Sequence, residues 1–199
     1  MASQSPNPSR DDRELAPPPL RARVAATILA AAARTLAGGE QASMSDVATA
    51  AGVGRATVYR YFPTREVLLE QLAAFAVDEA ASRLEASRVD EVPPLEGISR
   101  AVRALVEVGD PFVVVAREHV RLRSPVFNAR LVDPLTALVE RGQRAGAIRD
   151  GLPASWLTES LLALVVGGLA SGQPKGKEDT IAAITELFMD GARSRPRST

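Results

Sequence analysis

The chain has 199 residues, of which 46% are hydrophobic, 24% charged and only 4% aromatic, a profile that suits a globular protein long enough to bury a core. It contains no cysteine, which excludes disulfides, thiolate metal sites and cysteine nucleophiles together and agrees with a reducing, cytoplasmic setting. The formal net charge is zero but unevenly spread: Leu20 to Arg65 carries six arginines against Glu40 and Asp46, whereas from Glu66 onward 16 basic residues face 19 acidic ones, a basic head on a slightly acidic body.

Residues 1–19 are polar, proline-rich and mixed in charge, unlike a secretion signal, and are expected to form a disordered tail. Val24, Ile28, Ala32 and Leu36 recur at every fourth position and predict a helix from Leu20 that Gly38-Gly39 stops. Arg21 and Arg23, just ahead of it, are read as solvated, with DNA contact as the alternative. Ser43 followed by Asp46 has the form of a capping box, although Glu or Gln is commoner at the second position. The short helix it opens carries Val47, Ala48 and Ala51 and breaks at Gly52. A turn at Val53-Gly54 leads to a second short helix, Arg55 to Phe62, closed by Pro63. Thr64 caps a long helix from Arg65 to about Ser87 with Leu68, Leu72, Phe75, Ala76 and Ala80 on one face. Beyond the boundary at Val92-Pro93-Pro94, further helices are expected over Leu95–Val108, Phe112–Leu122, Pro125–Arg144, Pro153–Ser171 and Lys177–Ala192. The fold class is all-α: a three-helix head over residues 20–66 and a larger helical body over 67–199.

The chemistry lies between Ser43 and Leu69. Two short helices joined through glycine make a helix-turn-helix, in which Ala48 and Gly52 permit close crossing. Val58 and Phe62 are one turn apart and belong to the core. Arg55, Ala56, Tyr59 and Arg60 fall on the opposite face, where arginine and tyrosine reach phosphates and base edges in a major groove.

Ala-Gly-Val, a short gap, Thr-Val-Tyr-Arg-Tyr-Phe and Thr-Arg-Glu-Val-Leu, all in register, resemble the TetR family of bacterial repressors up to about Leu72. The resemblance implies a homodimer that binds a palindromic operator and leaves it when a small molecule enters the body. It implies a phosphate contact at Ser43, base readout by Arg55, Ala56, Thr57 and Arg60, and backbone contacts by Tyr59 and Tyr61. Arg65 stands where the family usually has lysine, at a helix amino end suited to a phosphate. Gly54 replaces the common serine cap of the recognition helix, a loss of a few tenths of a kcal/mol at about the scale of Gly caps.

A single helix-turn-helix makes few contacts, so a dimer over two half-sites is expected. Leu157, Leu161, Leu164 and Gly168 on one helix and Ile181, Ile184, Leu187 and Phe188 on the last are the candidates for its interface, with the monomer core as the competing use. An effector pocket among the middle helices would draw on Phe75, Phe112, Phe127 and Trp156 as apolar walls and Glu118, His119, Arg121 and Asn128 as polar anchors. No metal or cofactor is expected. An enzyme is a weak rival, since His119 is the only histidine and no nucleophile elbow, phosphate loop or metal spacing occurs. A helical interaction module with an inactive head is the other rival, and the arginine–tyrosine stripe argues against it.

Overall fold

The computed structural model describes residues 20–38, 42–117, 125–171 and 176–193, without the side chains of 116 and 117. Helices build it: α1 (Leu20–Ala37), α2 (Met44–Ala51), α3 (Arg55–Tyr61), α4 (Arg65–Ala86), a 3-10 turn (Val89–Glu91), α5 (Pro94–Val108), α6 (Asp110–Arg117), α7 (Pro125–Phe127), α8 (Asp133–Arg144), α9 (Ala154–Ala170) and α10 (Lys177–Ala192). Among the described residues no strand occurs, only an isolated antiparallel bridge between Ile148 and Arg193. No described helix is long and apolar enough to cross a membrane. The expected tail, residues 1–19, lies outside the described residues.

Two apolar cores organise these helices. The first gathers Ile28, Leu29, Ala32 and Leu36 of α1, Met44, Val47 and Ala48 of α2, Val58 and Phe62 around α3, and Leu68 and Leu72 of α4. It also takes Val114 from α6, so the head draws on residues well outside 20–66. The second core holds the far part of α4 (Ala76, Val77, Ala80, Leu84) with α5, α8, α9 and α10, and includes Phe112 and Val115 of α6. Alanine recurs in both cores. Ala31, Ala32, Ala76, Ala80 and Ala81 are all fully buried, and such small side chains let helix axes approach closely.

Two local features depart from the sequence reading. Arg21 and Arg23 sit inside the first turns of α1 rather than ahead of it. The helix expected as one piece from Pro125 to Arg144 contains a π turn at Asn128–Val132, where the Asp133 N–H donates to the Asn128 carbonyl. Pro134 follows directly; it has no N–H to give, and its ring crowds the carbonyl four residues earlier, so a widened turn relieves the clash. Phe112 to Val115 lies within α6, as the helix expected from Phe112 implies.

Gly97 shows how tightly α5 is seated. A methyl group there would lie 2.8 Å from Leu138 Cδ1 and 2.9 Å from the Val89 carbonyl oxygen, and the second neighbour is backbone that cannot swing aside. Gly97→Ala is therefore expected to lower stability by about 1–3 kcal/mol, the scale of overpacking. Gly191→Ala, which meets nothing within 4 Å, is expected to be neutral or to stabilise by up to about 1 kcal/mol. Urea unfolding of the two variants checks the contrast.

Candidate nucleic-acid interface

The first helix of the motif is fixed at both ends by its own sequence. At its start the Ser43 hydroxyl accepts from the Asp46 N–H at 3.3 Å and donates to Asp46 Oδ2 at 2.7 Å, while the Ser43 N–H donates to the same oxygen at 2.8 Å. That is a complete capping box, and it satisfies helix N–H groups that would otherwise lack partners. The Ser43 N–H and, after it, the Ser43 hydroxyl hold the Asp46 carboxyl below its ordinary 3.8. At the other end Gly52 adopts φ 67°, and the N–H groups of Gly52 and Val53 donate to the Thr49 and Ala48 carbonyls at 3.1 and 3.0 Å. Only a residue tolerant of left-handed backbone turns the chain so sharply, which is why glycine stands there.

The turn delivers α3 with Val58 and Phe62 inward, 0% and 3% exposed. Gly54 provides no side-chain cap, as its sequence implies. Arg55, Ala56, Tyr59 and Arg60 emerge on the exposed face and Thr57 is half-buried at its edge. Neither Arg55 nor Arg60 forms an ion pair among the described residues, so both guanidinium groups present their donors to solvent. Tyr61 is half-buried against the head core, and its ring is flanked by the guanidinium groups of Arg60 and Arg21, 5.5 and 5.9 Å from the ring centre. The sequence reading did not foresee that Arg21, from a different helix, converges on this ring; the contact spans 40 positions and leaves no local pattern.

Arg65 occupies the first turn of α4, behind the Thr64 cap, whose hydroxyl oxygen accepts from the Val67 N–H at 3.3 Å. Its guanidinium donates to the Ala42 carbonyl at 2.8 Å. Arg65 thereby ties the start of α4 to the residue just before the Ser43 cap, a positioning contact that spacing alone did not reveal.

The expected effector and interface residues fall in several parts of the structure. The four aromatic candidates do not share a wall. Phe75 packs beside the head core, because it continues the Leu68–Leu72 face of α4, whereas Phe112 and Phe127 are buried in the body core. Trp156 is 55% exposed on the first turn of α9, and Asn128 is exposed as well. Glu118, His119 and Arg121 lie outside the described residues. Of the interface candidates, Leu157, Leu161, Ile181, Ile184 and Phe188 are buried within the protomer. Gly168 also serves the protomer, since a methyl there would lie 2.9 Å from Ile184 Cδ1, so it is the α9–α10 contact that needs the glycine. Leu164 is half-buried and Leu187 is 65% exposed. With Ala163, Gly167 and Ala183 these two line a shallow apolar groove of about 370 Å³ between α9 and α10.

A capped helix-turn-helix with an uncompensated basic stripe, mounted on a helical body, defines a DNA-binding transcriptional regulator. A family model for bacterial regulatory proteins of the tetR family matches residues 28–72. Over 181 residues the chain is 31% identical to the HTH-type transcriptional repressor LfrR of Mycolicibacterium smegmatis, covering 89% of this chain and 95% of that protein. It is 28% identical over 207 residues to the HTH-type transcriptional regulator EthR of the same organism, covering 94% and 89% of the two chains. The crystal structure of LfrR from Mycobacterium smegmatis in complex with proflavine superposes with a TM-score of 0.71 at 30% identity, over 87% of this chain and 98% of that one. The chain belongs to the TetR family of bacterial transcriptional regulators.

The capping box yields a titration with a definite outcome. Because the Ser43 N–H contributes more than its hydroxyl, Ser43→Ala is expected to raise the Asp46 pKa only part of the way back to its ordinary value. A depressed carboxyl stabilises the fold above the unfolded pKa, and that contribution fades as pH falls through the folded value. Carbon NMR of the Asp46 carboxyl in the two proteins reads the shift, and the acid limb of the stability curve should be shallower in the variant.

Proposed function

We propose that the protein is a ligand-responsive repressor that acts in the cytoplasm, binds a palindromic operator as a homodimer, and releases it when a small molecule occupies the helical body. The observation that carries the reading is the exposed face of α3, where Arg55, Ala56, Tyr59 and Arg60 stand together without ion-pair partners on a helix locked from behind by Val58 and Phe62. In this reading Arg55, Ala56 and the half-buried Thr57 face base edges, with Arg55 and Arg60 as the donors that suit guanine. Tyr59 and Tyr61 lie along the phosphate backbone. Ser43 and Arg65 act chiefly by setting the amino ends of α2 and α4, which place further N–H donors beside phosphates.

The dimer is supported by the α9–α10 groove. An apolar patch around a leucine as exposed as Leu187 is a poor surface for a monomer and a natural centre for a two-fold contact. Leu164, Gly168 and Leu187 would meet their counterparts there, while the other five candidates are buried within the protomer. The repressor sense and the effector rest on likeness: LfrR is named a repressor, and its structure with proflavine shows a small molecule bound to a protein of this fold.

Two experiments test this reading. Arg55→Ala and Tyr59→Ala are each expected to weaken binding to DNA from upstream of the protein's own gene by about 1–3 kcal/mol. Base readout predicts a smaller loss on unrelated DNA, and a phosphate contact predicts equal losses. Unchanged affinity in both variants would remove the head from DNA recognition. Leu187→Glu is expected to give monomers in sedimentation and to reduce operator affinity at least about a hundredfold, since each head then binds alone. A variant that remains dimeric would place the interface elsewhere.

A further inference from the structure

The start of α1 meets the end of α3 at one aromatic ring. Arg21 precedes Ala25, Ile28 and Ala32 at helical spacing, on the stripe that α1 turns toward the head core. Side chains on a helix lean toward its amino end, so the Arg21 side chain extends that stripe outward past the core. Its guanidinium carbon lies 5.9 Å from the centre of the Tyr61 ring, and that of Arg60 lies 5.5 Å from the same centre. Tyr61 is half-buried against the head core, with Phe62 at 6.4 Å between ring centres. The ring is therefore a fixed platform, and two arginines from different helices stand on it.

Two like charges are gathered here, and no carboxylate answers them. Arg21 and Arg60 are both exposed, and neither forms an ion pair among the described residues. Of the described acids nearby in the chain, Asp46 is bound by the Ser43 N–H and hydroxyl, Glu66 is held by its own N–H and the Thr64 hydroxyl, and Glu70 pairs with neither arginine. Attraction to the ring face holds each guanidinium in place without cancelling its charge. A guanidinium over a ring still presents N–H donors along its edge, in the planar fork that matches phosphate oxygens. Arg23 shows that this is a property of position. It follows two residues after Arg21, about 200° around the helix, and makes no ion pair or ring contact among the described residues.

We infer that Arg21 and Tyr61 form a phosphate site at the junction of α1 and α3, and that its ligand is a backbone phosphate of duplex DNA beside the groove that α3 enters. The inference rests on the reading of α3 as the DNA-facing helix, because Tyr61 is the last residue of that helix. Arg21 then grips the backbone from α1, while Arg60, steadied by the same ring, is left to the base edges. The head holds DNA through two elements whose relative position its core fixes, since α1 supplies Ile28, Ala32 and Leu36 to the core that also buries Val58 and Phe62. A cation on a separate helix sets how far α3 enters the groove without itself reading sequence.

Salt titration of DNA binding by the whole protein tests the site. The probes are a duplex of unrelated sequence and DNA from upstream of the protein's own gene, because a phosphate contact counts equally on both. Arg21→Ala is expected to lower the slope of log affinity against log salt by about one and to weaken binding about tenfold on either duplex. Arg21→Lys keeps the charge without the planar fork, so it is expected to restore the slope and recover only part of the affinity. Arg23→Ala removes the same charge from the same turn and is expected to leave the slope nearly unchanged. Circular dichroism confirms that the variants are folded. A slope unchanged by Arg21→Ala would make the stack a purely structural contact, and an equal drop in Arg23→Ala would reduce the effect to the general charge of α1. Either result, or a slope that lysine does not restore, overturns the inference. Loss of slope in Arg21→Ala, with Arg55→Ala and Tyr59→Ala without effect on upstream DNA, would uphold the phosphate site and overturn base reading by α3 instead.

Discussion

The head and the body share helices, and the rest of the structure depends on that. α4 buries Leu68 and Leu72 in one core and Ala76, Val77, Ala80 and Leu84 in the other. α6 does the same within a single step of chain, since Val114 enters the head core and Val115 the body core. Adjacent residues on a helix point about 100° apart, so a helix wedged between two cores can satisfy both only at one rotation. The orientation of the head is therefore set by packing inside the body. Nothing comparable would follow from two domains joined by a flexible linker.

Within the head, the same logic operates on a smaller scale. The recognition helix is only two turns long, far too short to persist alone in water. It exists because Val58 and Phe62 anchor it from behind, Gly52 aims it, and the Ser43–Asp46 box and the Arg65 bond to Ala42 fix the two helices that flank it. Apart from the contact of Arg60 with the Tyr61 ring, the exposed face is thus free of structural duty. Arg55, Tyr59 and Arg60 can be chosen for what they touch outside the protein.

Most of the helix boundaries were legible, because the signals that end helices are local. Gly38, Gly52, Pro63, the Pro93-Pro94 pair and Thr64 each act within a turn of where they stand. The inward and outward faces of α3 were legible for the same reason: one face is apolar and the other is not. The body resisted such reading where a helix is apolar all round. Along α9, Leu157, Leu161, Leu164 and Gly168 look equivalent in sequence, yet Leu157 and Leu161 are core, Gly168 receives Ile184, and Leu164 borders the groove. Periodicity tells that a face is apolar, not what covers it. Trp156 is a related case, since a large aromatic suggests a pocket wall and here it stands 55% exposed on the first turn of α9. What the sequence could not reveal is that Arg130 pairs with Asp78 and that Arg141 donates to the Val89 and Val92 carbonyls, because those partners come from other elements.

The claim that head and body are one mechanical unit is open to a direct measurement, because the chain labels its own parts. Both tyrosines, Tyr59 and Tyr61, lie in the head, and the single tryptophan, Trp156, lies in the body. Urea unfolding followed at once by fluorine NMR of fluorotyrosine and by tryptophan fluorescence should give coincident transitions with one midpoint, as cooperative unfolding through shared helices requires. Two separated midpoints, with the head melting while Trp156 still reports a folded body, would contradict the account.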